Sequence, residues 1–212
     1  IAFIAFNADG NDDLAFVALS EISSGTVIYF TDNEWTGSAF NDTNEGRVEW
    51  TATSTVDAGT VVVITDLSGS ESVNVGSVSE IGNFNIGASN DCIWALSAAP
   101  ATSYGSTPTF YGVICNDMVS GDTISGTGLT LGTNGINFDN DKDGFLFTGS
   151  RTGQASFSAY LSQIYNSSNW QQETSNGENI LPISTTAFTV SGGSTDPEPT
   201  NHPTSLSSSV LH

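Results

Sequence analysis

Gly25-Thr26-Val27-Ile28-Tyr29-Phe30-Thr31-Asp32 is matched further along by Gly59-Thr60-Val61-Val62-Val63-Ile64-Thr65-Asp66. Each stretch leaves a Gly turn, runs through β-branched residues and stops at Thr-Asp. Residues of that kind fit a pleated, half-buried surface, and Gly marks the turn before it. Two copies are too few for a solenoid. They read as equivalent strands that finish at one end of a sandwich.

Toward the N-terminus, residues 1–6 and 14–19 run apolar or alternate, separated by Asn7-Ala8-Asp9-Gly10-Asn11-Asp12-Asp13. That predicts two adjacent strands joined by an acidic loop. Further strands are expected at 47–53, 92–97, 109–115, 144–148 and 186–190. The Gly/Ser/Asn-rich stretch 68–90 predicts loops or a weak edge strand. One segment breaks the pattern. Phe157, Tyr160, Leu161, Ile164 and Tyr165 recur at helical spacing behind Ser156, a capping residue. The expected fold is all-β: an antiparallel β-sandwich with one short helix at its end or side.

Composition agrees. Charged residues are only 12% of the 212, with Gly, Ser, Thr and Asn in their place. Those residues suit short strands and tight turns. The sandwich is expected to occupy residues 1–190. Residues 191–212 open with Ser191-Gly192-Gly193-Ser194 and hold three of the six prolines, which reads as a linker and the start of a further domain.

The charge is lopsided, with 23 acids against three bases, Arg47, Lys142 and Arg151, and a net charge of −20. Such a chain repels phosphate backbones and anionic membranes, so nucleic acid is not an expected partner. The acids suit either solubility in salt or bound divalent cations. No apolar run reaches membrane-spanning length, so no membrane insertion is expected. The only cysteines, Cys92 and Cys115, both sit in strand-like text. An even count in such a chain points to a disulfide and an oxidising compartment, against the alternative of two buried thiols. A bridge closing that loop contributes about 3 kcal/mol. The expected location is secreted or cell-surface, and the expected state a monomer.

The two histidines, His202 and His212, fall in the tail, leaving residues 1–190 with none. That removes Ser-His-Asp and Cys-His nucleophilic sites and His-built zinc sites. No phosphate-cradling or dinucleotide-binding Gly-rich loop is present. A pair of carboxylates for glycoside hydrolysis stays open.

Three groups of residues carry chemistry. In Asp139-Asn140-Asp141-Lys142-Asp143-Gly144-Phe145, acids alternate before a Gly. Asp139, Asp141, Asp143 and the carbonyl of Phe145 supply the oxygens that calcium wants, about six to eight in all. An EF-hand has a Glu at the twelfth position, where Ser150 stands, and the flanks read as strands. The alternative is an acidic turn. The second group is Asp9, Asn11 and Asp13 with Asp32, Glu34 and Glu45, at strand ends where loops could share a cation, or else simply polar loops. The third is Trp35 and Trp170, which sit in polar text. Loop aromatics can stack on sugar rings, or fold over the edge of the core.

The runs Ile1–Asp13 and Tyr29–Gly37, together with Trp170 and Leu181-Pro182, resemble a module found near the amino end of secreted bacterial multidomain proteins, similar to the immunoglobulin-like lamin-tail sandwich. The resemblance covers most of residues 1–190. It implies a sandwich that precedes nuclease, phosphatase or adhesin parts and has no settled activity of its own. Glu198-Pro199-Thr200-Asn201-His202-Pro203-Thr204 resembles the opening of a fibronectin type III domain. The leading expectation is a non-catalytic calcium-binding module for adhesion or targeting, with the parent protein open as an enzyme. The alternative is a carbohydrate-binding module using Trp35 or Trp170, its partner a cell-surface or matrix polysaccharide. A carboxylate-pair glycoside hydrolase ranks third.

Overall fold

The computed structural model describes residues 1–118, 121–139, 142–173 and 180–192. Two six-stranded sheets face each other. The first runs in the order β12 (Trp170–Gln172), β11 (Gly144–Phe147), β1 (Ala2–Asn7), β2 (Asp13–Val17), β5 (Val61–Thr65), β6 (Ser72–Val73), all antiparallel. The second runs β10 (Gly135–Asn137), β9 (Phe110–Cys115), β8 (Cys92–Leu96), β3 (Val27–Thr31), β4 (Arg47–Thr51), β7 (Ser77–Ile81). It is antiparallel except where β10 lies parallel to β9. The chain is an all-β sandwich.

The two matched stretches become β3 and β5, one in each sheet. The low-charge stretch 68–90 supplies both β6 and β7, each at a sheet edge, because its small polar residues have little apolar surface to bury. The sheets meet through large aromatics. Phe16 of β2 lies 5.2 Å from Trp50 of β4 and 5.6 Å from Phe30 of β3, and Phe3 of β1 lies 5.9 Å from Phe30.

Strand β8 serves two cores because alternate side chains face opposite sides. Ile93 and Ala95 point into the sandwich, while Cys92, Trp94 and Leu96 join a second buried cluster with Trp35, Phe40, Phe110 and Leu129. Two excursions, one between β3 and β4 and one between β9 and β10, cover the outer face of the second sheet. A 3-10 turn at Ser158–Tyr160, the helix α1 (Leu161–Ile164) and Phe188 pack into the same core that joins the sheets, with Tyr160 4.9 Å from Phe188. Ser156 caps this segment, its Oγ accepting from the Ala159 amide at 3.2 Å.

One expected strand does not form. Residues 186–190 run across the first sheet but send their amides to separate segments, Phe188 to Gly59 O at 2.8 Å and Thr189 to Arg151 O at 2.8 Å. Without one neighbour to follow, only a lone bridge from Val190 to Gln154 forms. The linker and the fibronectin-like opening lie outside the described residues from 193 onward. No helix among the described residues is long and apolar enough to cross a membrane.

Candidate cation-binding site

Five carboxylates from three loops line one cavity of about 230 Å³: Asp32, Glu34 and Glu45 between β3 and β4, Asp91 before β8, and Asp122 between β9 and β10. Asn85, Gly87, Ser89 and Asn90 complete its wall. Asp32 follows the last residue of β3, so the strand sets its position. Glu45 precedes β4, and the next residue explains how it is held. Gly46 sits at φ +91°, and a Cβ there would meet the Asn83 amide at 2.6 Å and Ile81 O at 2.7 Å. Only Gly permits that approach. Its carbonyl accepts from Thr31 Oγ1 at 2.9 Å and Asn33 Nδ2 at 3.1 Å, tying Glu45 to the end of β3.

Asp91 is placed by the disulfide. Cys92 and Cys115 are bonded and lie opposite each other on β8 and β9, with Cα atoms 4.1 Å apart. Just beyond the bridge, Asp91 donates its amide to Asn116 Oδ1 at 2.8 Å, and the Asn116 amide returns to Asp91 O at 3.1 Å. Asp122 is placed by Trp35, whose amide donates to Asp122 Oδ1 at 3.1 Å and whose indole Nε1 donates to Ser125 O at 2.8 Å.

Hydrogen bonds satisfy only part of this acidity. Asp32 Oδ2 accepts from the Asn85 amide at 3.1 Å, while Oδ1 is buried without a partner, and the residue is 7% exposed. Glu45 Oε2 is also buried without a partner. Asp91 Oδ2 accepts from the Gly87 amide at 2.5 Å, and Glu34 Oε2 accepts from Asn41 Nδ2 at 2.6 Å.

The electrostatic cost appears in the proton affinities. Burial pushes Asp32 up to about 8, opposed by the Asn85 amide and reinforced by the charges of Asp91 and Glu45. Burial raises Asp91 to about 7 and Glu45 to about 7, with like charges adding in each case. Asp122 is raised to about 6, by burial and then by Glu34. Desolvation and crowding both disfavour the charged form, and no lining residue is basic. A bound divalent cation reverses both effects. The donors are all oxygens, the set that suits calcium or magnesium rather than zinc or copper. Among the described residues no group of three acidic, His or Cys side chains is placed to hold a metal ion.

The acids singled out from the sequence do not all meet. Asp32, Glu34 and Glu45 share this cavity, whereas Asp9, Asn11 and Asp13 line another, of about 410 Å³, with Thr65 and Asp66. There Asp13 is already bound on both oxygens, by Asn7 Nδ2 at 2.8 Å and the Asp66 amide at 3.3 Å. In the Asp139 loop, Asp141 lies outside the described residues. Asp139 is exposed, at φ +55°, and the Asp143 carbonyl accepts from the Ala8 amide at 2.6 Å. Phe145 is a strand residue of β11, paired with Phe6 on one side and Gln172 on the other.

Of the two readings of the tryptophans, burial favours the one in which they fold over the core. Trp35 is 0% exposed and Trp170 is 7% exposed, so neither offers a ring face to a sugar. Polar neighbours misled because both indoles satisfy their N–H inside, Trp170 through Ile164 O at 2.6 Å. Asp91 and Asp122 were not singled out from sequence. The position of Asp91 beside Cys92 was the one available signal.

Fold and cavity together define a two-sheet β-sandwich with an acidic pocket at one end. No family model, no curated protein and no solved structure matches this chain.

Proposed function

We propose that this chain is a non-catalytic module of a secreted multidomain protein, and that it binds calcium in the cavity between Asp32, Glu34, Glu45, Asp91 and Asp122. The observation that carries the reading is the buried, unpartnered Oδ1 of Asp32, a residue that lines the cavity together with four other carboxylates. A buried polar atom without a partner costs free energy, and a cation of the right hardness removes the cost. The disulfide supports an oxidising compartment. The two-sheet architecture is compatible with the lamin-tail-like resemblance, which adds a role in adhesion or targeting.

The test is a calorimetric titration of chelator-treated protein with calcium. The expected result is saturable binding that Asp32→Asn abolishes and Asp139→Asn leaves intact. Binding lost with Asp139→Asn and kept in Asp32→Asn moves the site to the Asp139 loop. A second reading follows from the same carboxylates, because a raised proton affinity is what a glycosidase general acid needs. Turnover of a polysaccharide, lost in Glu45→Gln, would replace the non-catalytic reading.

A further inference from the structure

The acids of this cavity lack donors. Asp32 is 7% exposed and lines the cavity, and its Oδ1 is buried without a partner. Glu45, which also lines it, leaves Oε2 buried without a partner. The nearby backbone amides are already engaged, Asn85 with Asp32 Oδ2, Gly87 with Asp91 Oδ2 and Trp35 with Asp122 Oδ1. Buried acceptors left open cost free energy until a donor reaches them.

The spread of these acceptors selects the donor. The five carboxylates belong to three loops, and among the described residues no group of three is placed to hold a metal ion. Acceptors spaced around a cavity suit a ligand whose own donors are spaced. A guanidinium is such a group: planar, always charged, with its N–H donors in a fixed fork and no acceptor. It bonds carboxylates through paired N–H groups and is more weakly hydrated than an ammonium, so enclosing it costs less. The cavity volume of about 230 Å³ equals about seven water molecules, which leaves room for the planar head and its stem.

A second copy of this chain has no arginine to offer. Arg47 Nε is bound to Glu49 at 2.7 Å, and Arg151 Nη1 donates to Ser184 O at 2.9 Å and Thr186 O at 2.8 Å. With 23 acids against three bases, the chain attracts a basic partner from a distance. We propose that the cavity receives an arginine side chain of a basic partner protein, its guanidinium donating to the open oxygens of Asp32 and Glu45. The inference goes beyond the calcium reading and does not need it. It names the partner chemistry behind a role in adhesion or targeting.

The experiment is a calorimetric titration of the chain, in chelator, with the end-blocked peptide Gly-Gly-Arg-Gly-Gly. Its citrulline counterpart keeps the shape without the charge, and its lysine counterpart keeps the charge without the fork. Saturable binding of the arginine peptide, several-fold weaker binding of the lysine peptide and none of the citrulline peptide are expected. Asp32→Asn and Glu45→Gln, each shown by melting to be folded, should weaken binding about tenfold through loss of a charge-assisted bond. Asp57→Asn removes the same charge at an exposed position outside the cavity and should leave binding unchanged. Equal binding of the arginine and lysine peptides, or a loss that Asp57→Asn reproduces, reduces the effect to bulk charge and overturns the inference. Free arginine binding more tightly than the peptide overturns the protein partner. Calcium binding without peptide binding overturns this inference and leaves the calcium reading standing, and peptide binding without calcium binding does the reverse.

Discussion

Asp12 and Asp32 belong to opposite sheets, yet their carboxylates accept hydrogen bonds from consecutive backbone amides, Ile86 at 3.0 Å and Asn85 at 3.1 Å. The loop before β8 thus clamps the β1–β2 turn to the end of β3. Both acids are raised by burial, Asp12 to about 6 and Asp32 to about 8. The clamp sets two buried acids at one end of the sandwich, beside the proposed cation site.

Calcium should stabilise the fold through this end. Binding to the native state alone adds about 2.7 kcal/mol at a hundredfold excess over the dissociation constant. For a domain of this size that is about 5–10 °C in melting temperature. The check is a melting curve in calcium and in chelator. Asp32→Asn should remove the difference, and in chelator above about pH 8 it should melt no lower than the wild type, because it removes a charge from a crowded site. Asp141→Ala should leave the difference in place.

Stability in chelator should fall as pH rises from about 4 to about 8. Asp32, Asp91, Glu45, Asp122 and Asp12 all have raised proton affinities in the native state. Between the unfolded and folded values the native state binds more protons, so raising the pH favours unfolding. Below both values the effect is absent. Calcium should flatten or reverse the slope by holding the carboxylates ionised. Thermal melts across that range, with and without the ion, decide it. A chelator curve that rises toward pH 8 would contradict the buried-carboxylate account.

Reduction of Cys92–Cys115 should act on both stability and the cavity. The bridge closes a separation of 23 residues, for which loop entropy predicts about 3 kcal/mol. Asp91 and Asn116 exchange hydrogen bonds directly beside it. The Cys92→Ser, Cys115→Ser double variant should therefore melt lower and bind calcium several-fold more weakly. Unchanged calcium affinity would show that the strands alone position Asp91.

Tryptophan emission should be blue-shifted and poorly quenched by acrylamide, because Trp35, Trp50 and Trp94 are 0% exposed and Trp170 is 7% exposed. Trp35→Phe should cost about 1–3 kcal/mol by leaving Ser125 O without its indole donor. Ready quenching of a solvent-like emission would restore the stacking surface.

Much of the architecture was legible along the chain because it depends on local chemistry. Gly turns, β-branched runs and the helical spacing behind Ser156 each act within a few residues, and β3, β5 and the short helix follow from them. The disulfide was legible because two cysteines leave a single pairing. Residues 186–190 looked equally strand-like, but a strand exists only beside a partner, and the amides of this segment go to separate neighbours. The choice between the two readings of the tryptophans also lay outside local text. Trp35 lies in polar text, yet it is buried by nearby Phe40 and by Phe110 and the excursion it pins at Ser125, the last two distant in sequence. Asp32, Glu34 and Glu45 could be grouped from sequence because one excursion joins them. Asp91 and Asp122 reach the same cavity only through the Asn116 exchange and the Trp35 amide, contacts between segments that nothing local encodes. Turn chemistry and strand period are properties of neighbours along the chain, whereas a site built from several loops is decided by which strands the sandwich sets side by side.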